Sequence, residues 1–383
     1  MNINIYFGLL GTLSLLFSGT AQALIECSAY SAPSHSIPIT PGTLSVGPDM
    51  PLGSIIYRGN IGPGVNEISG YTHCKNTPGP NVPGEVFSYT TSYNISNAPR
   101  PLSAWNRDRY AGKVYETGIP GVGIAMVYGN NAFTSISPYR VNTSATMYLD
   151  GRSVKIGVAS VNFMLIKIGA IPAGSFNVSA AEFPTIFISR FGDASGNVVP
   201  FNFPVVYYNF SGVLRFTQPT CVTPDVDVEL GRHEVASFTA AGSTTPWQNF
   251  TIQLTNCPVF SGYYNNSSFP RLFHPSGSTS TPATVSNNFE LKLTPTSSII
   301  NDTNGIMAVI PAANAATGVG IQIAYDSAGS PELFRFSAGK TFKLPKNGAT
   351  TLTVPMMARY IKTGSTVNPG RADGKVTFTI SYY

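Results

Sequence analysis

The residues best suited to bind a ligand lie in a short aromatic and polar stretch that begins at Trp105. Trp105 and Tyr110 offer planar faces for the C–H groups of a sugar ring, and the Asn, Arg and Asp residues between them can bond to hydroxyls. A second, Asn-rich turn follows Tyr128. We predict ligand contacts at Trp105, Asn106, Arg107, Asp108, Tyr110, Asn130 and Asn131. A third candidate is the turn Asp193 to Asn197.

A structural interpretation of the same residues stays open. Trp105 is the only tryptophan before residue 218, and a lone tryptophan is commonly a core anchor. Asn and Asp are also frequent in turns because their short side chains bond to the local backbone. The sequence alone therefore leaves two roles for these residues.

Catalytic motifs are missing from the sequence. There is no G-x-S-x-G, no H-E-x-x-H and no P-loop, since Phe334 stands where a P-loop ending in Gly339-Lys-Thr341 needs glycine. The histidines are scattered, and only His73 has a cysteine neighbour. We expect no catalytic residue, no metal site, no cofactor and no enzymatic activity.

The elements that position these residues are predicted to be β-strands. Charged residues make up only 11% of the chain, while Gly (37) and Pro (30) are abundant, which favours short strands joined by turns. Alternating or apolar runs predict strands at 53–58, 85–93, 123–128, 145–149, 160–168, 185–189, 205–216, 226–230, 250–254, 289–293, 319–325, 350–359 and 376–382. Residues 261–288 are predicted to form a long loop or a poorly ordered insertion. The fold class is all-β.

The N-terminus predicts export. Ile5 to Phe17 is almost wholly apolar and Ala21-Gln-Ala23 fits a cleavage site, so residues 1–23 are predicted to be a signal peptide, although Lys and Arg are missing before the apolar run. The net charge of +5 is small and spread along the chain, so we expect no nucleic-acid partner.

The cysteines divide the chain into two parts. Cys27, Cys74, Cys221 and Cys257 allow three pairings, of which one bridge in each half, Cys27–Cys74 and Cys221–Cys257, is the simplest. Their spacings are too wide for a zinc knuckle. Pro219 interrupts a strand-like run just before Cys221, so we place one domain at 24–218 and a second at 219–383.

The last segment carries a distinctive pattern. Gly370 lies fourteen residues from the end, and Val376, Phe378, Ile380 and Tyr382 alternate with hydroxyl-bearing residues. Three earlier segments belong to the same pattern: Phe250-Thr-Ile-Gln-Leu-Thr-Asn-Cys257, Gly318-Val-Gly-Ile-Gln-Ile323 and Val354-Pro-Met-Met-Ala-Arg-Tyr360. From about residue 219 to 383 the chain resembles the pilin domain of chaperone–usher pilus subunits. A final strand buried in an ordinary sandwich is the alternative.

The resemblance implies a particular architecture and set of partners. With a further unit ahead of the pilin domain, the chain resembles the two-domain tip adhesins, among them the mannose-binding adhesin of type 1 fimbriae. It implies an N-terminal lectin-like elongated sandwich and a C-terminal incomplete immunoglobulin-like domain that lacks one strand. A periplasmic chaperone, and after the outer-membrane usher the donor strand of an adjacent fimbrial subunit, would complete that domain. The residues implied in this pairing are Gly370, Val376, Phe378, Ile380, Tyr382 and Tyr383.

The function implied is adhesion at the tip of the fimbria. Only three residues separate the predicted mature start from Cys27, too few for a donor strand, so we expect this subunit to end the fibre. The resemblance implies an extracellular protein that attaches a Gram-negative bacterium to a host glycan or glycoprotein. The alternative is a structural tip or initiator subunit without lectin activity. The stretch 166–177 carries no acidic residue, which argues against transferring mannose specificity.

Overall fold

The computed structural model describes residues 24–29, 32–39, 42–62, 72–77, 86–147, 153–193, 198–268, 270–275, 279–327 and 329–383. These ranges contain strands and three single-turn 3-10 helices, at Asp108–Tyr110, Ala180–Glu182 and Val235–Ser237. They contain no α-helix, and so none with the length and apolarity to cross a membrane. The all-β prediction is confirmed, whereas the predicted signal peptide lies outside the described residues.

We call residues 24–218 the N-terminal half. Its strands are β1 (Leu24–Ala29), β2 (Ser34–Ile39), β3 (Thr43–Ser45), β4 (Ile55–Ile61), β5 (Thr72–Thr77), β6 (Val86–Asn97), β7 (Tyr115–Glu116), β8 (Val122–Tyr128), β9 (Asn131–Phe133), β10 (Tyr139–Thr146), β11 (Val154–Ile156), β12 (Val161–Lys167), β13 (Gly174–Ser179), β14 (Thr185–Gly192) and β15 (Phe201–Gln218).

We call residues 219–383 the C-terminal half. Its strands are β16 (Gln248–Leu254), β17 (Arg271–Phe273), β18 (Thr279–Ser280), β19 (Asn288–Pro295), β20 (Ile299–Asn301), β21 (Ile306–Ala308), β22 (Val319–Ser327), β23 (Ser330–Leu333), β24 (Lys340–Lys343), β25 (Leu352–Lys362) and β26 (Val376–Tyr382).

The N-terminal half is a sandwich of two sheets. Sheet I has the order β10-β6-β14-β15-β13, with β2 and β3 parallel to the long strand β15. Sheet II has the order β18-β17-β4-β12-β8-β7, with β9 on β8. Alternation explains the packing: Ile186 and Ile188 of β14 point into the core, where they share one apolar cluster with Phe163 and Ile124 of sheet II. A small third sheet, β1-β5-β11, lies at the start of this half.

The C-terminal half is a second sandwich with its own core. Its larger sheet has the order β16-β25-β22-β21-β20, with β23 on β22, and its smaller sheet has the order β24-β19-β26. Ile252, Ile321 and Met356 from the larger sheet pack against Leu291 and Leu293 of β19. The apolar residues again occupy alternate positions, as a sheet with one buried face requires.

Both predicted disulfides are confirmed. Cys27 and Cys74 face each other in the β1–β5 ladder and form a bridge. Cys221 and Cys257 form the second bridge, next to the Val222–Thr255 pairing that brings the start of the C-terminal half beside the end of β16. The described residues contain no free cysteine.

Two expectations about the C-terminal half are wrong. Residues 226–230 are not a strand, because no strand lies between Gln218 and Gln248. The alternation is nevertheless present in the burial: Val226, Val228 and Leu230 are half-buried, while Asp227 and Glu229 are exposed. It indicates which side of the segment is covered, and it does not show that the segment pairs with another strand.

The predicted loop at 261–288 in fact adds strands to the N-terminal half. β17 pairs in parallel with β4, the Tyr264 N–H donates to Ile56 at 3.0 Å, and the Arg58 N–H donates to the Tyr264 carbonyl at 2.8 Å. Phe273 is fully buried in the core of that half. The polar composition of this segment concealed Tyr263 and Phe273, which are both buried in that core. The predicted strand 145–149 also shifts, since β10 ends at Thr146 and residues 148 and 149 lie outside the described ranges.

Candidate functional site

The terminal strand β26 lies at the edge of its sheet. It pairs with β19 in register, from Phe289 opposite Tyr382 to Pro295 opposite Val376, and the described part of the chain supplies no strand on its other side. Its apolar side chains are incompletely covered: those of Val376, Phe378 and Ile380 are only half-buried. An edge with an apolar face and free backbone groups can accept another strand.

The chain end is held by contacts with both halves. The Tyr382 N–H donates to the Asp49 carboxylate at 2.8 Å, and the Asp49 N–H donates to the Tyr382 carbonyl at 3.1 Å. Tyr382 is buried and stacks on Phe260, with ring centroids 5.9 Å apart. The side-chain amide of Asn287 donates to the Tyr383 carbonyl at 3.1 Å. A β-carbon on Gly47 would lie 2.0 Å from the Tyr382 carbonyl oxygen, so the junction requires glycine there.

Gly370 has a packing role. A β-carbon at this position would lie 2.5 Å from the Ala316 backbone nitrogen and 2.6 Å from the Asn314 carbonyl oxygen. The neighbouring Arg371 exchanges backbone hydrogen bonds with these residues, donating to Asn314 and accepting from Ala316, both at 2.8 Å. The sequence signal at Gly370 therefore reflects a close backbone approach just before β26.

Trp105 is placed as a core anchor. It is 7% exposed and packs with Val114, Ala125 and Met164 against the outer face of sheet II, so its ring faces are covered by protein. Its indole N–H has no hydrogen-bond partner among the described residues. The expectation that Trp105 offers a face to a sugar is corrected accordingly, because the segment that carries it folds onto the sheet.

The other predicted ligand-contact residues fall into two groups, those on exposed turns and those that line a cleft. Asn106, Arg107 and Asp108 are exposed on the turn, where the Asp108 carboxylate accepts the Tyr110 N–H at 2.7 Å. Asn131 is exposed at the start of β9. Tyr110 and Asn130, by contrast, come together at one cleft.

We call this cleft of about 360 Å³ the basic cleft. It is lined by Arg58, Arg109, Tyr110, Gly129, Asn130, Asn162, Met164, Ser267 and Pro270. Its floor is the outer face of sheet II, where Arg58 of β4 lies opposite Met164 of β12. The Arg109 guanidinium donates to the Asn130 amide oxygen at 3.2 Å, which joins the two predicted turns. Sequence reasoning missed Arg58 and Asn162, which are outward positions of ordinary-looking strands.

A larger, open depression of about 820 Å³ lies on the outer face of sheet I, and we call it the aromatic groove. It is lined by Ser92, Asn94, Pro138, Arg140, Phe187, Ser189, Phe191, Gly192, Asp193, Pro200, Phe201, Asn202, Phe203 and Pro204. Phe187 stacks on Tyr207, with centroids 4.8 Å apart and planes 19° apart. Arg140 lies over the Phe191 ring at 5.5 Å.

The sequence contained one signal for this groove. Phe187, Ser189 and Phe191 alternate with the inward-facing residues of β14, and outward phenylalanines on an exposed face are unusual enough to indicate a binding surface. Asp193, from the third predicted turn, lines the groove, while residues 194–197 lie outside the described ranges.

Three groups with shifted pKa values belong to the core of the N-terminal half. Burial raises the pKa of Tyr57 and of Tyr93 far above the ordinary value, and it lowers the pKa of the Arg190 guanidinium. Arg190 donates to the Thr72 hydroxyl at 2.8 Å and to the Ile156 carbonyl at 2.6 Å, so it ties the small sheet to sheet I. No three His, Cys, Asp or Glu residues of the described chain are grouped so as to hold a metal ion.

Comparison with known proteins gives the family. The model of the family described as "Fimbrial protein" matches residues 208–383. A fimbrial subunit type 1 of Salmonella typhimurium is 32% identical over 161 residues, which cover 41% of this chain and 71% of that protein. The chain belongs to the fimbrial protein family. Long polar fimbria protein A of Salmonella typhimurium is 30% identical over 179 residues, covering 45% of this fimbrial protein and 83% of its relative.

Several solved structures align over most of the chain. One of them is the CupB6 tip adhesin of Pseudomonas aeruginosa, with 15% identity, a TM-score of 0.33 and 94% of each chain covered. Fimbrial proteins are exported and form part of extracellular pili, and this fimbrial protein shares that location.

Proposed function

We propose that this fimbrial protein is the tip adhesin of a chaperone–usher pilus. Residues 24–218 form the receptor-binding domain, residues 219–383 form the pilin domain, and the protein attaches the bacterium to a host glycan or glycoprotein. The observation that carries the proposal is the aromatic groove, an open depression lined by aromatic and polar side chains on a half that the family model leaves almost entirely unmatched. A shaft subunit needs no such additional sandwich.

The groove has the chemistry that carbohydrate recognition needs. Phe187 and Phe191 lie four residues apart on one face of β14, on either side of Ser189, so their Cα atoms are spaced by roughly 13 Å along the strand. Apolar ring faces accept the C–H side of a sugar, while Asn94, Asn202 and Asp193 surround them with hydrogen-bonding groups. We assign the receptor-binding site to this groove, in place of the stretch around Trp105.

The edge strand supports the proposed assembly route. A chaperone strand, and later the N-terminal extension of the adjacent subunit, would pair with the free edge of β26 and cover Val376, Phe378 and Ile380. Each apolar side chain that a donor strand buries contributes about 1.5–3 kcal/mol. A few such side chains would make the completed fibre very slow to dissociate.

The test is glycan binding by the full chain in complex with its chaperone. Residues 24–218 alone are a poor choice, because Tyr263 and Phe273 of the C-terminal half belong to their core. We expect specific binding on a glycan array, and we expect Phe187→Ala to weaken it at least about tenfold, which corresponds to 1.4 kcal/mol. Phe176→Ala is the matched control, since Phe176 is a half-buried phenylalanine of β13 outside the groove.

Each outcome separates the candidate functions. If the folded complex binds no glycan and no host glycoprotein, the protein is a structural tip or initiator subunit, an interpretation that the Asp49–Tyr382 junction between the halves also fits. If glycans bind and Phe187→Ala has no more effect than Phe176→Ala, the protein is an adhesin whose site is not the aromatic groove.

A further inference from the structure

We propose that the basic cleft is a second binding site, on the opposite face of the sandwich from the aromatic groove, and that it takes an oxyanion carried on a glycan. The shared chemistry is a carboxylate or a sulfate ester held by Arg58 and Arg109. The cleft volume of about 360 Å³ matches one sugar-sized group with its substituent. The cleft lies on sheet II and the groove on sheet I, so the two sites are independent.

The Arg58 guanidinium has N–H donors that its protein contacts do not use. Arg58 is half-buried and donates through Nε to the Asn265 carbonyl at 2.9 Å and through Nη1 towards the Met164 sulfur at 3.4 Å. These bonds fix the guanidinium on the floor of the cleft and leave Nη2 without a partner in the described part of the chain. A fixed guanidinium with free N–H groups is suited to bind an oxyanion through two parallel hydrogen bonds.

Arg109 forms the rim above this floor. Its guanidinium lies over the Tyr110 ring at 5.4 Å and is oriented by the bond to Asn130. Arg109 itself is exposed, so it can approach a ligand without a large rearrangement. The cleft thus has one arginine at its base and one at its entrance.

The charges around the cleft favour an anion. No residue that lines it is acidic, and the nearest acid on the same turn, Asp108, points its carboxylate at the Tyr110 N–H. The pKa of Arg58 is lowered chiefly by burial and also by the positive charge of Arg109, with Tyr110 acting in the opposite direction. Two guanidinium groups that repel each other beside a half-enclosed space are stabilised when a negative group lies between them.

Neutral hydrogen-bonding groups complete the site. The amides of Asn130 and Asn162 and the hydroxyl of Ser267 line the same space. The Asn162 amide oxygen accepts from Asn60 at 2.8 Å, which fixes the orientation of this side chain. Such groups suit the hydroxyls of a sugar ring, and they distinguish a glycan from a bare inorganic anion.

The experiment measures binding of defined sugars to the full chain in its chaperone complex. The probes are the methyl glycoside of N-acetylneuraminic acid, galactose 6-sulfate and neutral methyl galactoside. We expect at least one acidic probe to bind at least tenfold more tightly than the neutral one, and we expect its affinity to fall at higher salt. Comparing the affinities of the carboxylate probe and the sulfate probe identifies which oxyanion the site binds.

The variants locate the site. Arg58→Gln and Arg109→Gln should each weaken the acidic probe at least tenfold, while Arg107→Gln on the same exposed turn should leave it unchanged. Because Arg109 is exposed, Arg109→Gln should not affect folding. If Arg58→Gln unfolds the protein, Arg109→Gln alone therefore tests whether the acidic probe binds in the cleft. Phe187→Ala should not change acidic-probe binding, which separates this site from the groove. Equal binding of acidic and neutral probes, no binding at all, or equal loss with Arg107→Gln would overturn the proposal.

Discussion

The two halves bury their cores to different extents. In the N-terminal half Ile186, Phe163 and Val206 are fully buried between two sheets. In the C-terminal half Leu291 and Met356 are buried as completely, but Val376, Phe378 and Ile380 of the edge strand β26 are only half-buried. The proposed function fits this difference, because a closed core leaves the outer faces of its sheets available to a receptor, whereas a core open along one edge strand is available to a donor strand.

Several contacts cross between the halves. β17, from the C-terminal half, extends sheet II, and the carbonyl and N–H of Tyr382 bond to Asp49 of the N-terminal half. The core of the N-terminal half is not complete without Tyr263 and Phe273.

The largest effect should come from closing the open edge. Fusing a strand with alternating apolar residues to the C-terminus through a flexible linker should raise the free energy of unfolding by about 5 kcal/mol, since several apolar side chains would be buried at about 1.5–3 kcal/mol each. Urea denaturation with a separate signal for each half measures this. The gain should appear only in the C-terminal half.

The control keeps the fused length and changes the side chains. The same fusion with Asp at the alternating positions should give no gain, because charged side chains cannot enter the core. An equal gain from both fusions would mean that β26 is not an open edge, and the difference between the halves would need another explanation.

An intermediate effect is expected at Trp105 in the closed half. Trp105→Ala should cost about 3 kcal/mol of stability through the cavity it leaves. Trp105→Phe should cost clearly less, because it fills part of the space and removes the indole N–H that has no partner among the described residues. Urea denaturation of the chaperone-free, strand-fused protein is the measurement.

The same variants test the corrected role of Trp105. Trp105→Phe should retain glycan binding, since the ring contacts the sheet and not the aromatic groove. Loss of glycan binding by Trp105→Phe without loss of stability would restore the ligand role that the sequence suggested.

The sequence predicted those features that depend on local pattern. The period-two alternation of β26 is such a pattern, and the two disulfides were predicted by assigning one bridge to each half, although their cysteines lie 47 and 36 residues apart. The features it missed depend on distant pairing. Phe273 enters the core of the other half from a polar segment, and Arg58 lies beside Tyr110 only because β4 and the 98–114 segment meet on sheet II. Alternation shows which face of a segment is covered and not what covers it.

The smallest effect is expected at the junction between the halves. Asp49→Ala removes the carboxylate that accepts the Tyr382 N–H at 2.8 Å, while the backbone bond from Asp49 to the Tyr382 carbonyl remains. A single hydrogen bond to a charged group is worth about 1.5–3 kcal/mol, and the exposure of Asp49 lowers the expected cost to about 1 kcal/mol.

The way in which the stability loss of Asp49→Ala is divided between the two halves tests whether one half stabilises the other. If contacts with the N-terminal half stabilise the C-terminal half, Asp49→Ala should lower the unfolding midpoint of the C-terminal half and leave that of the N-terminal half unchanged. Asp227→Ala, an exposed acid of the C-terminal half, is the control and should change neither. Equal loss in both halves would instead show that they unfold as one cooperative unit, which the shared β4–β17 ladder would explain.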